Sequence, residues 1–373
     1  VPAECGCRPR EPAHGEAVQI ARHLAQSLQN LAPTDRARTK PETTVNAAAH
    51  SSPDSGRFRE PIRVGVLGAG RTRQGLGPFL ARACEAAGGV VVAIAGREGG
   101  RSDTVACELA AQLGHPVAVA ADAMALAAQV DALVVAAPPE GHLAGLDAAL
   151  AAAVPCLCEK PLVPAEQAAA GRQRLDAFRT RGLLLVENCQ WPFVLPTWAR
   201  LWPERQGRPV RSLAMGLGPA WPGPTMVVDS LSHVLSVLQA LVPLPTDAQL
   251  LDVTQSDGGP AAAANVVRFA VRGPAGRVDV SLHLTQCPAQ PRPAWIDVDG
   301  ARIDRRLGPN YEQSFVRPDG QGEPVEDPLH QLVYGFFADL RAGTRDRTEA
   351  HADAVLLRLR LYADLLQQLG LRA

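Results

Sequence analysis

The chain has no apolar run near the roughly 20 residues that a membrane span needs. Its apolar runs, such as Val90 to Ala95 and Leu183 to Val186, are far shorter, so no part of it is expected to cross a bilayer. It also lacks an excess of either charge, with 37 lysines and arginines against 38 aspartates and glutamates. The chain as a whole therefore gives no electrostatic support to a nucleic-acid or anionic-membrane partner. The N-terminus carries Cys5, Cys7, Arg8 and Arg10 but no apolar h-region of a secretory leader, and a cytoplasmic location is the expectation. No C-x-x-C pair occurs among the eight cysteines, and no His/Cys/Asp/Glu cluster has ligand spacing. Free thiols and no metal site follow, with Cys156 and Cys158 packed along a short strand.

What is present points to two domains. At 373 residues the chain exceeds the roughly 250 to 300 at which single cores stop growing, and 46% hydrophobic with 20% charged residues is a globular composition. Residues 1–59 stand apart as an extension, with one amphipathic helix predicted from about Glu16 to Leu31 and a polar linker from Pro33 to Arg59.

From Ile62 the pattern changes. Strands are predicted at Ile62–Leu67, Val90–Ala95, Val117–Ala120, Ala132–Ala137 and Pro155–Cys158, alternating with helices at Gly77–Ala87, Ser102–Leu113, Ala123–Gln129, Gly141–Ala153 and Ala165–Arg181. Strands apolar on both faces that alternate with helices imply a doubly wound parallel sheet over residues 60–182. After Leu183 the rhythm differs. A helix at Val228–Leu241 and β-like runs at Ala264–Val271, Arg277–Thr285 and Ala294–Val298 suggest an α+β domain over 183–373 with an open, largely antiparallel sheet. Asp299-Gly300 forms a hairpin turn there, and helices at His330–Ala342 and Glu349–Leu369 close the chain.

In Gly65-Val-Leu-Gly68-Ala-Gly70 a strand runs directly into paired glycines, a turn that lets a dinucleotide's diphosphate approach the backbone at a helix N-terminus. Gly68, Gly70 and the adjacent Arg71 are candidate cofactor contacts. The third glycine of the strict fingerprint is missing, since Arg73 stands at its position. The second strand ends at Ala95-Gly96-Arg97 without the acid that usually accepts from NAD ribose hydroxyls, although Glu98 is adjacent. Arg97, Arg101 and Ser102 suit a 2′-phosphate, so NADP is the expected cofactor, with NAD possible; a solvated basic loop is the plainer alternative.

The run Asp131-Ala-Leu-Val-Val-Ala-Ala-Pro138-Pro139-Glu-Gly-His142, followed by Cys158-Glu159-Lys160-Pro161-Leu162 and by Asp229-Ser-Leu-Ser-His233, resembles the Gfo/Idh/MocA family of oxidoreductases. The resemblance covers about Pro61 to the C-terminus. It implies a Rossmann domain followed by an α+β domain, assembled as a homodimer or homotetramer. It also implies cofactor contacts at Pro138, His142, Glu159 and Lys160, with Lys160 at the reacting oxygen beside the nicotinamide and Asp229 and His233 as the second catalytic pair. On a helix, positions four apart share one face and can aim a carboxylate and an imidazole into one pocket. An imidazole with pKa near 6.5 can take an alcohol proton at neutral pH, and a lysine can stabilise the developing alkoxide.

The chain departs from the family at Leu231, at Ser236 and in Glu187-Asn188-Cys189-Gln190-Trp191-Pro192. Gln190 and Trp191 are candidate substrate contacts there, while most of Trp191, Trp198, Trp202 and Trp221 suit core or interface roles. The leading expectation is hydride transfer between NAD(P)(H) and a secondary alcohol or ketone of a small molecule such as a sugar or cyclitol. Imine reduction and a non-catalytic dinucleotide-binding regulator remain open.

Overall fold

The computed structural model describes residues 61–70, 75–97, 100–256, 259, 261–309 and 311–371. The helix expected at Glu16–Leu31, the linker at Pro33–Arg59, Cys5, Cys7, Arg71 and Glu98 lie outside these residues.

The first half alternates as expected. β1 (Ile62–Leu67), α1 (Gly77–Ala86), β2 (Gly89–Ala95), α2 (Ser102–Leu113) and β3 (Ala118–Val119) are followed by α3 (Ala123–Ala127), β4 (Ala132–Val135) and α4 (His142–Ala152). β5 (Cys156–Cys158), α5 (Ala168–Thr180) and β6 (Leu185–Glu187) complete it. All six strands are parallel, in the order β3-β2-β1-β4-β5-β6, which is the doubly wound Rossmann order. The central strands are buried on both faces, and β4 has no exposed residue. Arg63 is the exposed exception in β1, where its guanidinium lies 2.9 Å from Asp131.

The boundary expected at 182/183 falls too early. β6 pairs with β5 as the sixth strand, so the parallel sheet runs on to Glu187. The reason is packing: Leu184 and Val186 face one side of the sheet core and Leu183 and Leu185 the other.

The second half contains α6 (Leu195–Leu201), β7 (Ser212–Leu217), α7 (Pro224–Leu241), β8 (Leu250–Gln255), β9 (Ala264–Gly273) and β10 (Gly276–Thr285). β11 (Ala294–Val298), β12 (Ala301–Leu307), β13 (Gln313–Val316) and β14 (Gly322–Val325) complete the sheet, and α8 (Pro328–Ala342) and α9 (Arg345–Gln368) close the chain. The eight strands pair antiparallel except β7 with β10. Asp299 and Gly300 turn between β11 and β12 with φ of 52° and 80°, the left-handed pair of a tight hairpin. β7, at the sheet's centre, escaped the sequence reading because Gly216 interrupts its apolar run. That glycine leaves room for the indole of Trp295, since a Cβ there would stand 2.0 Å from Nε1.

Three apolar clusters hold the fold together. One joins β1, β2 and β4 to α1 and α8; a second joins the opposite face of the parallel sheet to α4, α5 and α9; the third lies between the eight-stranded sheet and α6, α7 and α9. The two closing helices thus return to the parallel sheet, one on each face.

Candidate active site

The turn after β1 lies where the strand order reverses, between β1 and β4. Gly68 has φ of 84°, and a Cβ on it would stand 2.5 Å from the Ala137 nitrogen. Its N–H donates to Ala95 O at 2.8 Å, holding the turn over the carboxyl ends of the strands. Gly77, the first residue of α1, presses against the same turn: a Cβ there would meet Gly68 O and Ala69 Cα at 2.6 Å. Gly77 thereby does the close-packing work of the glycine missing from the strict spacing. No side chain caps α1, in whose first turn Pro78 has no N–H and Phe79 N donates to Leu76 O at 2.9 Å. A cradle that a single methyl would block, beside an uncapped helix start, fits a dinucleotide's diphosphate.

Gly70 is half-buried in the bend beyond Gly68. Arg97 is exposed just after β2. Arg101 is also exposed and only loosely paired, 3.9 Å from Glu108. Ser102 opens α2 with its hydroxyl over Gly96, where a Cβ would come within 2.6 Å. These three groups share the end of β2, the edge on which a dinucleotide's adenosine ribose rests in this fold.

Beyond β4, Pro138 leads through a short 3-10 turn (Pro139–Gly141) into α4. His142 is fully buried. Its Nδ1 lies 2.9 Å from Pro161 O and its Nε2 2.8 Å from Ala137 O, so the ring ties the end of β4 to the segment after Lys160. Burial lowers its pKa against the pull of these carbonyls. Both ring nitrogens thus lie against backbone carbonyls.

Lys160 and Asp229 meet across the two halves of the chain. The ammonium Nζ donates to Asp229 Oδ1 at 2.6 Å and to the Asp229 carbonyl at 2.8 Å. The Lys160 side chain is 12% exposed, whereas that of Asp229 is 59% exposed and open to solvent. Burial works against the lysine's charge, but Asp229 and Glu159 outweigh it and hold its pKa above the ordinary value. Lys160 in turn holds the Asp229 carboxyl below its usual range. Glu159 is buried, accepts a short hydrogen bond from Asn188 Nδ2, and is pushed upward by that burial.

His233 lies one turn after Asp229 on α7. Burial, followed by Lys160 and Arg305, depresses its pKa to about 3, although Asp229 opposes them. The expectation of an imidazole titrating near 6.5 is therefore corrected: at neutral pH this ring is uncharged and a weak base. Its Nδ1 is buried without a hydrogen-bond partner in the protein. Trp191 is 6% exposed and stands edge-on to this ring, with centroids 6.3 Å apart. It forms a wall of the site more than an open contact surface. Gln190, half-buried, precedes it at the start of a 3-10 turn.

Two groups were missed in the sequence. Arg358 of α9 and Glu187 of β6 form a buried ion pair at 2.5 Å, with Glu187 also accepting from Leu162 N at 2.9 Å. Arg305 of β12 lies 5.5 Å from the Trp191 ring centroid. A signal existed for each: Arg358 interrupts the apolar face of its helix between Leu357 and Leu359, and Arg305 falls in phase with inward-facing Ala301 and Ile303.

Residues 62–188 match the family model described as an oxidoreductase family with an NAD-binding Rossmann fold, GFO_IDH_MocA. No curated protein matches the chain. Among solved structures, the chain is similar to UDP-N-acetylglucosamine 3-dehydrogenase from Acidithiobacillus ferrooxidans at 20% identity, covering 83% of this chain and 96% of that one with a TM-score of 0.58. A 3-ketoreductase from Actinomadura kijaniata, in complex with NADP and TDP-benzene, is similar at 22% identity over 84% and 98% of the two chains, with a TM-score of 0.59. An oxidoreductase from Agrobacterium radiobacter in complex with NAD+, L-tartaric acid and magnesium shares 17% identity over 81% and 94%, with a TM-score of 0.54. At these identities the likeness is one of fold, and it extends through both halves of the chain.

Proposed function

Residues 62–188 belong to the NAD-binding Rossmann fold of the Gfo/Idh/MocA oxidoreductase family, and from that premise we propose that the chain interconverts a secondary alcohol and a ketone on a small molecule with NADP(H). The observation that carries this reading is the contact of Lys160 with Asp229, which places a charged donor from the end of β5 against the helix that bears His233. The cradle at Gly68 and Gly77 would hold the diphosphate, and Arg97, Arg101 and Ser102 the 2′-phosphate. When bound, the nicotinamide supplies or takes the hydride.

The protein's own part is the proton and the charge. Lys160 directs its ammonium at the reacting oxygen, where a positive charge counts most as alkoxide character develops. In reduction Lys160 gives that oxygen a proton; in oxidation it takes one back. Asp229 keeps the lysine charged and, being open to water, connects it with solvent. His233, neutral under these conditions, orients the substrate hydroxyl or carbonyl by hydrogen bonding, using the Nδ1 that the fold leaves unpartnered. Trp191 and α7 exclude water from the far side.

A panel of ketones and cyclic imines offered with NADPH, followed by loss of NADPH absorbance, tests the reaction class. Turnover of ketones alone is expected. Turnover of imines alone would reassign the chemistry, and tighter binding of NADH than NADPH would reassign the cofactor.

A further inference from the structure

We propose that Trp191 is a positioning residue for His233: its indole fixes the direction in which the imidazole leaves α7, and the eight-stranded sheet fixes the indole. The catalytic meaning of this rests on the oxidoreductase reading above, but the placement of the ring is measured without turnover.

An imidazole that works on a ligand through one nitrogen is ordinarily oriented by a hydrogen bond at the other. His233 has no such tie: among the described residues, no protein group hydrogen-bonds its ring. Its direction therefore depends on packing. The ring meets Trp191 edge-on, with centroids 6.3 Å apart and planes at 70°, inside the favourable range for aromatic pairs. Trp191 is itself buried, so its indole is committed to the protein and offers little surface to a substrate.

The indole is clamped in turn. Phe315 of β13 stands edge-on to it at 6.4 Å and 79°, and the Arg305 guanidinium of β12 lies 5.5 Å from its centroid. Arg305 and Phe315 are register partners across the β12–β13 pair and so form one platform. Phe315 is fully buried, and Arg305 Nη2 donates to the Arg292 carbonyl at 2.9 Å, which holds that platform in place. The backbone below the indole is fixed as well. Pro192 restricts the 3-10 turn Trp191–Val194, Phe193 N donates to Gln190 O at 3.1 Å, and Cys189 Sγ donates at 3.7 Å to the carbonyl of Ser232, the residue before His233. A rigid ring between a strand pair and the imidazole carries the position of the sheet to α7. The charges that act on the imidazole are Lys160 at the end of β5, Asp229 on its own helix and Arg305 on β12, while burial keeps the Cys189 thiol protonated.

Proton–nitrogen correlation spectra of the full chain, with isotope-labelled histidine, test this across pH. The His233 signal is identified among the nine histidines by its loss in His233→Asn. Trp191→Leu opens the packing around the ring, so water enters, the chemical shifts at neutral pH change and the titration midpoint rises by at least about one pH unit. Trp191→Phe keeps an aromatic edge and should stay close to the parent in both. With a ketone that the parent reduces, Trp191→Leu should lower kcat by about tenfold to a hundredfold, with NADPH affinity within about twofold of the parent. A residue that only fills the core would lower the melting temperature and leave the imidazole of the folded protein as it was. If Trp191→Leu gives no cooperative melt, Phe315→Leu, which loosens the clamp and leaves every charge in place, is read in the same way for a smaller rise. Unmoved shifts and midpoint in the variant that folds overturn the proposal, as does a Trp191→Phe spectrum as far from the parent as that of Trp191→Leu. Absence of turnover with every substrate offered counts against the oxidoreductase reading alone, and the spectra still decide the placement of the ring.

Discussion

At the scale of single residues, the site depends on which groups hold charge. Lys160 is largely covered by the protein yet charged because Asp229 touches it. Lys160→Met removes that charge and is expected to lower kcat/KM by at least about a hundredfold, while NADPH affinity by fluorescence titration changes little. Asp229→Asn keeps the shape and removes the carboxylate. Burial then governs the lysine, so its pKa falls and the alkaline limb of the kcat/KM profile moves to lower pH; an unmoved limb would show that another group sets it. His233 gives a signature in stability. Its folded pKa of about 3 lies below the unfolded value of 6.5, so its neutral form is favoured in the fold and the penalty is nil above pH 6.5. As pH falls from 6.5 towards 3 the unfolded chain binds a proton that the native site refuses, and stability drops by up to about 1.4 kcal/mol per pH unit. Denaturant unfolding of His233→Asn against the parent across that window should show the difference; parallel curves would mean that the native ring is readily protonated.

At the scale of elements, the segment that carries Lys160 is held from the far end of the chain. Glu187 on β6 accepts from Leu162 N, two residues beyond Lys160, and pairs with Arg358 of α9, whose Nη1 reaches Gln239 on α7. One buried pair thus braces both the Lys160 segment and α7, with side chains 9% and 3% exposed. Removing one partner leaves an uncompensated buried charge, so Arg358→Met is expected to cost about 3 to 5 kcal/mol in denaturant unfolding. Adding Glu187→Gln should recover part of that loss, and additive single effects would exclude the pair as a unit. The turn after β1 is equally specific. Gly68→Ala forces an L-residue to φ of 84° and sets a methyl against Ala137, with strain of about 1 to 3 kcal/mol from the dihedral alone; NADPH affinity should fall at least tenfold. Much of this scale was legible in the sequence. Each βα period from Ile62 carries its own strand, turn and apolar helix stripe, so local pattern suffices; the Gly68 turn stood out by its glycines after a strand, and Lys160, Asp229 and His233 through the family resemblance. β7 and the pairing of Glu187 with Arg358 did not, because Gly216 is explained only by Trp295, and the break that Arg358 makes in an apolar helix face does not name its partner 171 positions away.

At the scale of the whole molecule, the two halves are not successive beads. α8 covers one face of the parallel sheet with Leu332, Val333, Phe336 and Phe337. α9 is shared more deeply: Ala352, Val355 and Leu359 enter the core of the parallel sheet, while Leu357, Leu361, Tyr362, Leu365 and Leu366 enter that of the eight-stranded sheet. A helix with faces in two cores makes each core's burial depend on the other, so the described chain should unfold in one cooperative transition. The five tryptophans make this testable, since all lie between Trp191 and Trp295 and report on the second half alone. On the proposed function, NADPH binding would report on the first half through the Gly68 turn. Denaturation followed by tryptophan emission and by residual NADPH binding at fixed ligand should give coincident midpoints. Leu359→Ala and Leu361→Ala, which open different cores, should each shift both probes together by about 2 to 5 kcal/mol. Separate midpoints, or a Leu359→Ala variant that loses NADPH binding at denaturant concentrations where its tryptophan signal is still native, would show that α9 does not couple the cores. The assignment of Lys160 and Asp229 to one site would then need another source of rigidity, because their contact joins the same two halves that α9 spans.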